Sequence, residues 1–524
     1  MKAHLLFRDR DFDLPRELRD RDGRGTALPG DGDLDPAQAL PWNAAALTQD
    51  LELDALFQAM AHGDRYLFEV AKKVILSGLR NDPDTILYRQ AILKDCLKNP
   101  AVVRGIYDLA VETITRERKD FWGLTSRYPD FILHRSVDAM QLFVGMLRWL
   151  RQTAEQNAAT FESEGFSTLF DMLKEELRDE YFASIEDHLK RLQFRGGVLI
   201  SAGLGAGNKG TNYVLRKLND PKGSWLERAF APKPPSYRFE IAERDENGAK
   251  ALGALRDRGI NLAANSVAQS NDHILSFFNL LRVELAFYVG CLNLAARLND
   301  LGEPTCFPQP AAPGAPRQAF RGLYDVCLAL VRGQKVVGND LEADGKKLLI
   351  VTGANQGGKS TFLRSLGLAQ LMMQCGMYAP AETLSADICD GLFTHFKREE
   401  DATMKSGKLD EELNRMNEIV AHLTPHPLLL FNESFAATNE REGSEIARQI
   451  VSALLENGIK VAFVTHQYTF AHGFYSQGTA DGLFLKAERR ADGERTFRMI
   501  AGEPTQTSYG EDLYHKIFRN GFAD

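Results

Sequence analysis

Hydrophobic positions change their spacing twice along the 524-residue chain. From Leu51 they recur at helical intervals: Met140, Phe143, Val144, Leu147 and Leu150 fall at i, i+3, i+4, i+7 and i+10 of one face, and Phe170, Leu173, Leu177 and Tyr181 continue such a stripe. Stripes of this kind predict the core of a helix bundle rather than a cofactor cage. Between residues 195 and 248 the pattern breaks into glycine- and proline-rich pieces, VLISAGLGAGNKG and APKPPSYRFEIAERD, which read as an irregular insertion with short strands. A second long helix is predicted over 267–298, followed by the proline-rich LGEPTCFPQPAAPGAPRQ, which reads as a linker over 301–318. Beyond Phe320 short apolar runs (KKLLIVTG, PLLLFNE, IKVAFVTH) alternate with helical stretches, as in a buried parallel sheet. The expected organisation is therefore a loosely ordered arm over 1–45, where Asp-Arg alternation mixes with glycine and proline. A helical domain over 46–300 follows, interrupted at about 196–250, then the linker and an α/β domain over 319–524.

Composition narrows the function. Sixty-three Lys and Arg against 71 Asp and Glu leave a net charge of −8, too acidic for a protein that coats itself with polyanion, so any nucleic-acid site must be local. Hydrophobic residues at 44% and charged residues at 26% exclude wholesale disorder and a polytopic membrane chain. The apolar stretch 277–298 contains Arg282 and Glu284, so it is expected to be a buried amphipathic helix and not a membrane span. Six cysteines without a C-x-x-C pair, and a start that turns charged after Phe7, are expected of a cytoplasmic protein with free thiols.

One string carries chemistry. GANQGGKS, residues 353–360, matches G-x-x-x-x-G-K-[ST] where an apolar strand ends and the helical run FLRSLGLAQLMMQ begins. Glycines allow the loop to turn its N–H groups inward as an anion nest, and the helix N-terminus adds positive charge at the phosphates. Lys359 is placed to reach the β- and γ-phosphates and Ser360 to ligate Mg²⁺. LLLFNE supplies the second strand: Glu433 to orient or deprotonate water, with Asn432 where an aspartate usually supports the metal. That asparagine removes one negative charge beside a dication. His466 in FVTHQ is a candidate γ-phosphate sensor. A second glycine pattern, Gly205, Gly207 and Gly210, lacks a following βαβ unit and reads as turns.

The stretch TGANQGGKSTFLRSLGLAQLMMQCGMYAPAE resembles the P-loop and following helix of the MutS family of DNA mismatch-repair ATPases. NESFAATNEREGSEIA, THQ, IAGEPTQTSYG and VVGNDL resemble other segments of that family in the same order. The likeness is strongest over 319–524 and extends less specifically to the helical half, which is similar to the family's core and lever helices. The fold class it implies is an α-helical core/lever domain followed by an α/β P-loop ATPase domain of the ABC/MutS type. Carried onto this sequence, it implies ATP held by Gly353, Asn355, Gly357, Gly358, Lys359, Ser360 and Thr361, Mg²⁺ held by Ser360 with Asn432 and Glu433, and catalysis by Glu433 and His466. It further implies a homodimer in which a signature loop from the partner completes each site. KSGKLDEEL matches that loop at Ser406 and Gly407, but Leu409, Asp410 and Glu411 stand where the family has Ser-Thr-Phe, so slow hydrolysis is expected.

The partner implied is DNA, as a duplex recognised by its structure. The family's Phe-x-Glu mismatch wedge has no counterpart in the polar stretch 1–45, and FESE at Phe161 has the wrong spacing, so the chain reads as a shortened, stand-alone relative. Lys209, Arg216 and Lys217 in the irregular insertion are candidates for sequence-independent phosphate contacts. The competing reading is a nucleotide-gated dimeric scaffold that binds protein or RNA with little or no hydrolysis. A transporter-type ATPase fits less well, lacking a membrane segment and an intact signature.

Overall fold

The computed structural model describes residues 1–6, 8, 40–121, 128–195, 197–217, 237–314, 316–398, 407–490 and 494–505. Helices Ala44–Asp50, Leu53–Ala61, Arg65–Ser77, Pro83–Lys98, Pro100–Phe121, Pro129–Asn157, Glu164–Glu176 and Asp179–Leu192 lead to a helix of 55 residues, Glu246–Asp300. Their starts are encoded locally. Asp64 accepts from the amides of Tyr66 and Leu67, Asp82 accepts from Thr85 with Pro83 in the first turn, and Ser163 accepts from Phe166.

The long helix spans about 80 Å and packs mainly against Pro129–Asn157 and Pro100–Phe121. Every residue from 283 to 292 is buried, which a helix apolar on all sides requires. It is long and apolar enough to cross a membrane by length and composition, but 72% of its apolar window is buried inside the protein.

Three expectations are corrected here. The long helix starts at Glu246, where Asp245 accepts from the Gly248 amide at 2.8 Å, so the last part of the expected insertion and residues up to 266 are helical. Leu252, Leu255 and Leu262 on that stretch are exposed, which is why no core-facing stripe marks it. Second, residues 1–6 are not a loose arm, and helix Ala44–Asp50 already starts inside 1–45; residues 7 and 9–39 of the arm lie outside the described residues. Leu5 and Leu6 are fully buried, and both their amides donate to the carboxylate of buried Glu284, Leu5 at 2.5 Å. Tyr288 donates to the Leu5 carbonyl at 2.7 Å and Arg89 to the Leu6 carbonyl at 2.9 Å.

Third, the segment 301–318 is not a free linker. Cys306 forms an antiparallel bridge with Ala379, and β3 (Gln309–Ala311) pairs in parallel with a strand of a four-stranded sheet. Proline is tolerated there because β3 lies at the sheet edge. The expected short strands of the insertion are a hairpin, β1 (Leu199–Leu204) with β2 (Gly210–Arg216). Gly205 and Gly207 lie in its turn and Gly210 opens β2, with the Gly205 amide donating to the Lys209 carbonyl at 2.8 Å.

The second half is mixed α/β. The four-stranded sheet has the order β3, β7 (Thr383–Asp387), β4 (Gln318–Leu323), β5 (Asn339–Glu342). The larger, six-stranded sheet has the order β12 (Arg495–Ala501), β11 (Gly482–Arg489), β6 (Leu348–Thr352), β10 (Lys460–Val464), β9 (Pro427–Asn432), β8 (Gly391–Phe396). Its pairings are parallel except β11 with β12. Helices Lys359–Gln374, Lys408–Ala421, Glu440–Glu456 and Tyr468–Ser476 accompany it. All of β6 and β8 is buried, as the continuous apolar runs require.

The two halves share one core, which runs from Leu51 and Phe287 to Leu363 and Met372 on the helix after the glycine loop. The far end of that helix is stitched to the helical half: Asn81 donates to the Gln374 carbonyl at 2.8 Å and Arg89 to the Cys375 carbonyl at 3.3 Å.

Candidate nucleotide site

The site forms where β6 ends. Gly353 has φ +115° and Gly358 φ +89°, both in the region that favours glycine. A Cβ on Gly353 would lie 2.9 Å from the Ala487 amide nitrogen, and one on Gly357 would lie 2.8 Å from the Ala354 carbonyl, so the loop packs directly on β11. Gln356 at its apex is also left-handed, with φ +60°. Helix Lys359–Gln374 starts directly after the loop, so its first amides point into a cleft of about 1350 Å³. Gly357, Gly358, Lys359, Ser360, Thr361 and Asn355 all line this cleft, together with Glu433.

Lys359 is buried, and its ammonium donates to the carbonyls of Gly353 at 2.9 Å and Ala354 at 3.0 Å. Burial lowers its pKa, opposed by the charge of Glu433. The Ser360 hydroxyl donates to the side-chain oxygen of Asn432 at 2.9 Å, so the two candidate metal ligands, 72 positions apart in sequence, meet. Both present neutral oxygens, the donor type that Mg²⁺ accepts, but neither supplies charge. Glu433 follows β9 with φ +54°, its amide donating to the Val464 carbonyl at 2.9 Å. Its carboxylate accepts from the His466 amide at 3.2 Å and pairs with the His466 Nδ1. This pairing raises the His466 pKa, against an opposing effect of burial.

Directly after Glu433, buried Ser434 meets the His395 Nδ1 at 2.8 Å, and the His395 Nε2 meets the Glu412 carbonyl at 3.0 Å. Burial pushes His395 down to about 4, so this ring is neutral and joins the Glu433 turn to helix Lys408–Ala421. Gly407 is the N-cap of that helix and does not line the cleft; Ser406 lies outside the described residues.

Several residues around the cleft carry no motif. Tyr324 is buried beside it, and its hydroxyl has no hydrogen-bond partner among the described residues. Phe497 lies against Gly358 with φ +60°; Asn339 donates to its carbonyl at 3.4 Å and accepts from the Met499 amide at 2.7 Å. Arg495 donates to the side-chain oxygen of Gln356 at 3.0 Å. Only Asn339, inside VVGNDL, falls in a segment singled out from the sequence. Phe497 and Arg495 belong to a hairpin whose meaning depends on β11 lying beside β6.

A family model described as the MutS2 N-terminal domain matches residues 81–301, and one described as MutS domain V matches residues 349–517. The chain belongs to the MutS family. The domain V match takes in the glycine loop and strands β7 to β12. Over 245 residues the chain is 26% identical to the DNA mismatch repair protein MutS of Shouchella clausii, covering 46% of this chain and 27% of that protein. The MutS of Streptococcus thermophilus is 25% identical over 279 residues (52% and 32%), and that of Streptococcus pneumoniae 29% over 193 residues (36% and 23%). The chain thus matches less than a third of the length of each of these MutS proteins.

Proposed function

We propose that this chain is a slow, nucleotide-switched ATPase of the MutS type that works as a homodimer on DNA, in mismatch repair or related recognition of DNA structure. The observation that carries the reading is the convergence of Lys359, the Ser360–Asn432 pair and Glu433 at the mouth of a parallel sheet. ATP would lie with its phosphates against the amides of residues 353–361. Lys359 would then transfer its hydrogen bonds from the loop carbonyls to phosphate oxygens. Mg²⁺, when bound, neutralises phosphate charge, and Ser360, Asn432 and Glu433 are the residues that would hold it. Glu433 orients water and takes its proton once its carboxylate is released from His466, which then faces the nucleotide. The neutral Asn432, the engaged Glu433 and a signature loop with Leu409 after Gly407 all favour slow turnover. Ser406 and Gly407 would act on the partner's nucleotide. Lys209, Arg216 and Lys217 at the β1–β2 hairpin would touch DNA phosphates without reading sequence. We place this activity in the cytoplasm.

The deciding experiment is calorimetry with Mg²⁺ and ATP on the full chain and on Lys359→Ala. Binding heat that the substitution abolishes supports the reading, and no heat in either protein overturns it. A duplex titration across salt then separates DNA from other partners, since a steep salt slope is the mark of phosphate engagement.

A scaffold that binds protein is the second reading. It is favoured by exposed apolar side chains on the β1–β2 hairpin, on the segment before the long helix and on that helix: Leu204, Tyr237, Phe239 and Leu262. Retained nucleotide binding with no salt-sensitive DNA binding would select it.

A further inference from the structure

The β11–β12 hairpin brings cations to the cleft that the P-loop motif does not require. Across the hairpin Arg489 pairs directly with Arg495, and both line the cleft with Lys359. Like charges placed opposite one another on a sheet repel. The Arg495 guanidinium donates to an uncharged amide, that of Gln356, and Gln356 is the apex of the loop that would wrap the phosphates. The hairpin and the loop form one packed unit: Ala487 touches Gly353 and Gly357, and Phe497 touches Gly358. Arg495 is thus fixed relative to the loop, two residues before Phe497 on the same strand.

Resting on the nucleotide reading above, we propose that Arg495 is a phosphate-binding residue supplied by the same chain, its guanidinium aimed by Gln356 at the phosphates of the bound nucleotide. Five cationic side chains line the cleft, Lys359 and Arg495 among them, against the carboxylates of Asp325, Glu433 and Glu494, and that excess of positive charge favours a bound anion. A planar guanidinium suits this position because it can donate to the Gln356 amide and to phosphate oxygens at once. The arrangement also lets one chain supply phosphate-neutralising charge without drawing it from a signature loop.

The test compares MgATP, MgADP and adenosine binding to the full chain, Arg495→Ala and Arg495→Lys by calorimetry, with melting curves of the nucleotide-free proteins. Arg495→Ala should weaken MgATP binding about tenfold or more and leave adenosine binding unchanged. Arg495→Lys should fall between the two. The nucleotide-free Arg495→Ala protein should melt at or above the parent temperature, because the like charge opposite Arg489 across the hairpin is gone; a purely structural arginine would lower it. Unchanged MgATP affinity in Arg495→Ala, or equal loss for adenosine and MgATP, overturns this inference while leaving the nucleotide site standing. Absence of MgATP binding by the parent chain overturns both.

Discussion

The Glu433 carboxylate is tied to His466 twice, through the imidazole Nδ1 and through the backbone amide at 3.2 Å. The residue proposed above to activate water is therefore held by His466, and that engagement depends on the charge of its partner.

That dependence has a definite sign. The hydrogen bond to Glu433 raises the His466 pKa above 6.5, with the charges of Lys397 and Lys359 acting against it. The stability from this pair is complete below pH 6.5 and is lost as pH rises through the raised folded-state value. ATP turnover should follow the opposite course, increasing over the same window as Glu433 is released. A pH–rate profile checks this, and His466→Asn should remove that limb; a profile unaltered by the substitution would exclude the pairing as a gate.

Glu433→Gln should retain MgATP binding and abolish turnover, because an amide accepts the loop geometry but cannot take a proton. Single-turnover measurements alongside calorimetry separate the two effects. Turnover equal to the parent's would remove Glu433 from the chemistry.

Asn432→Asp restores a negative charge 2.9 Å from the Ser360 hydroxyl. Hydrolysis should then saturate at lower Mg²⁺ and reach a higher maximum. Titrating Mg²⁺ at fixed ATP reads both quantities, and coincident curves for the two proteins would show that this position does not limit metal binding.

Glu284 accepts the amides of Leu5 and Leu6 in the core of the helical half. Glu284→Ala strands two buried donors, at about 1–3 kcal/mol each, so the urea midpoint should fall clearly. An unchanged midpoint would mean that these two hydrogen bonds contribute nothing to the fold.

What is legible in the sequence follows from the range of the interactions. The apolar run 348–352 and the glycines at 353, 357 and 358 are local signals, and a strand, a tight turn and a helix stand there. A helical half followed by a mixed α/β half is legible for the same reason. The strap at Leu5 and Leu6 is not, because two leucines before a charged stretch have no period, and Glu284 reaches them from 278 or more positions away. The segment 301–318 misleads because proline marks an edge strand and a spacer alike. Arg495 and Phe497 become informative only when β11 is known to lie beside β6.

The stitches from Asn81 and Arg89 to the end of the helix after the glycine loop bear on how the protein can be divided. Scission near residue 318 would not liberate two independent modules, because Leu363 and Met372 would lose the apolar cover that Leu51 and Phe287 help to provide. The same continuity makes that helix a direct link between the glycine loop and the helical half.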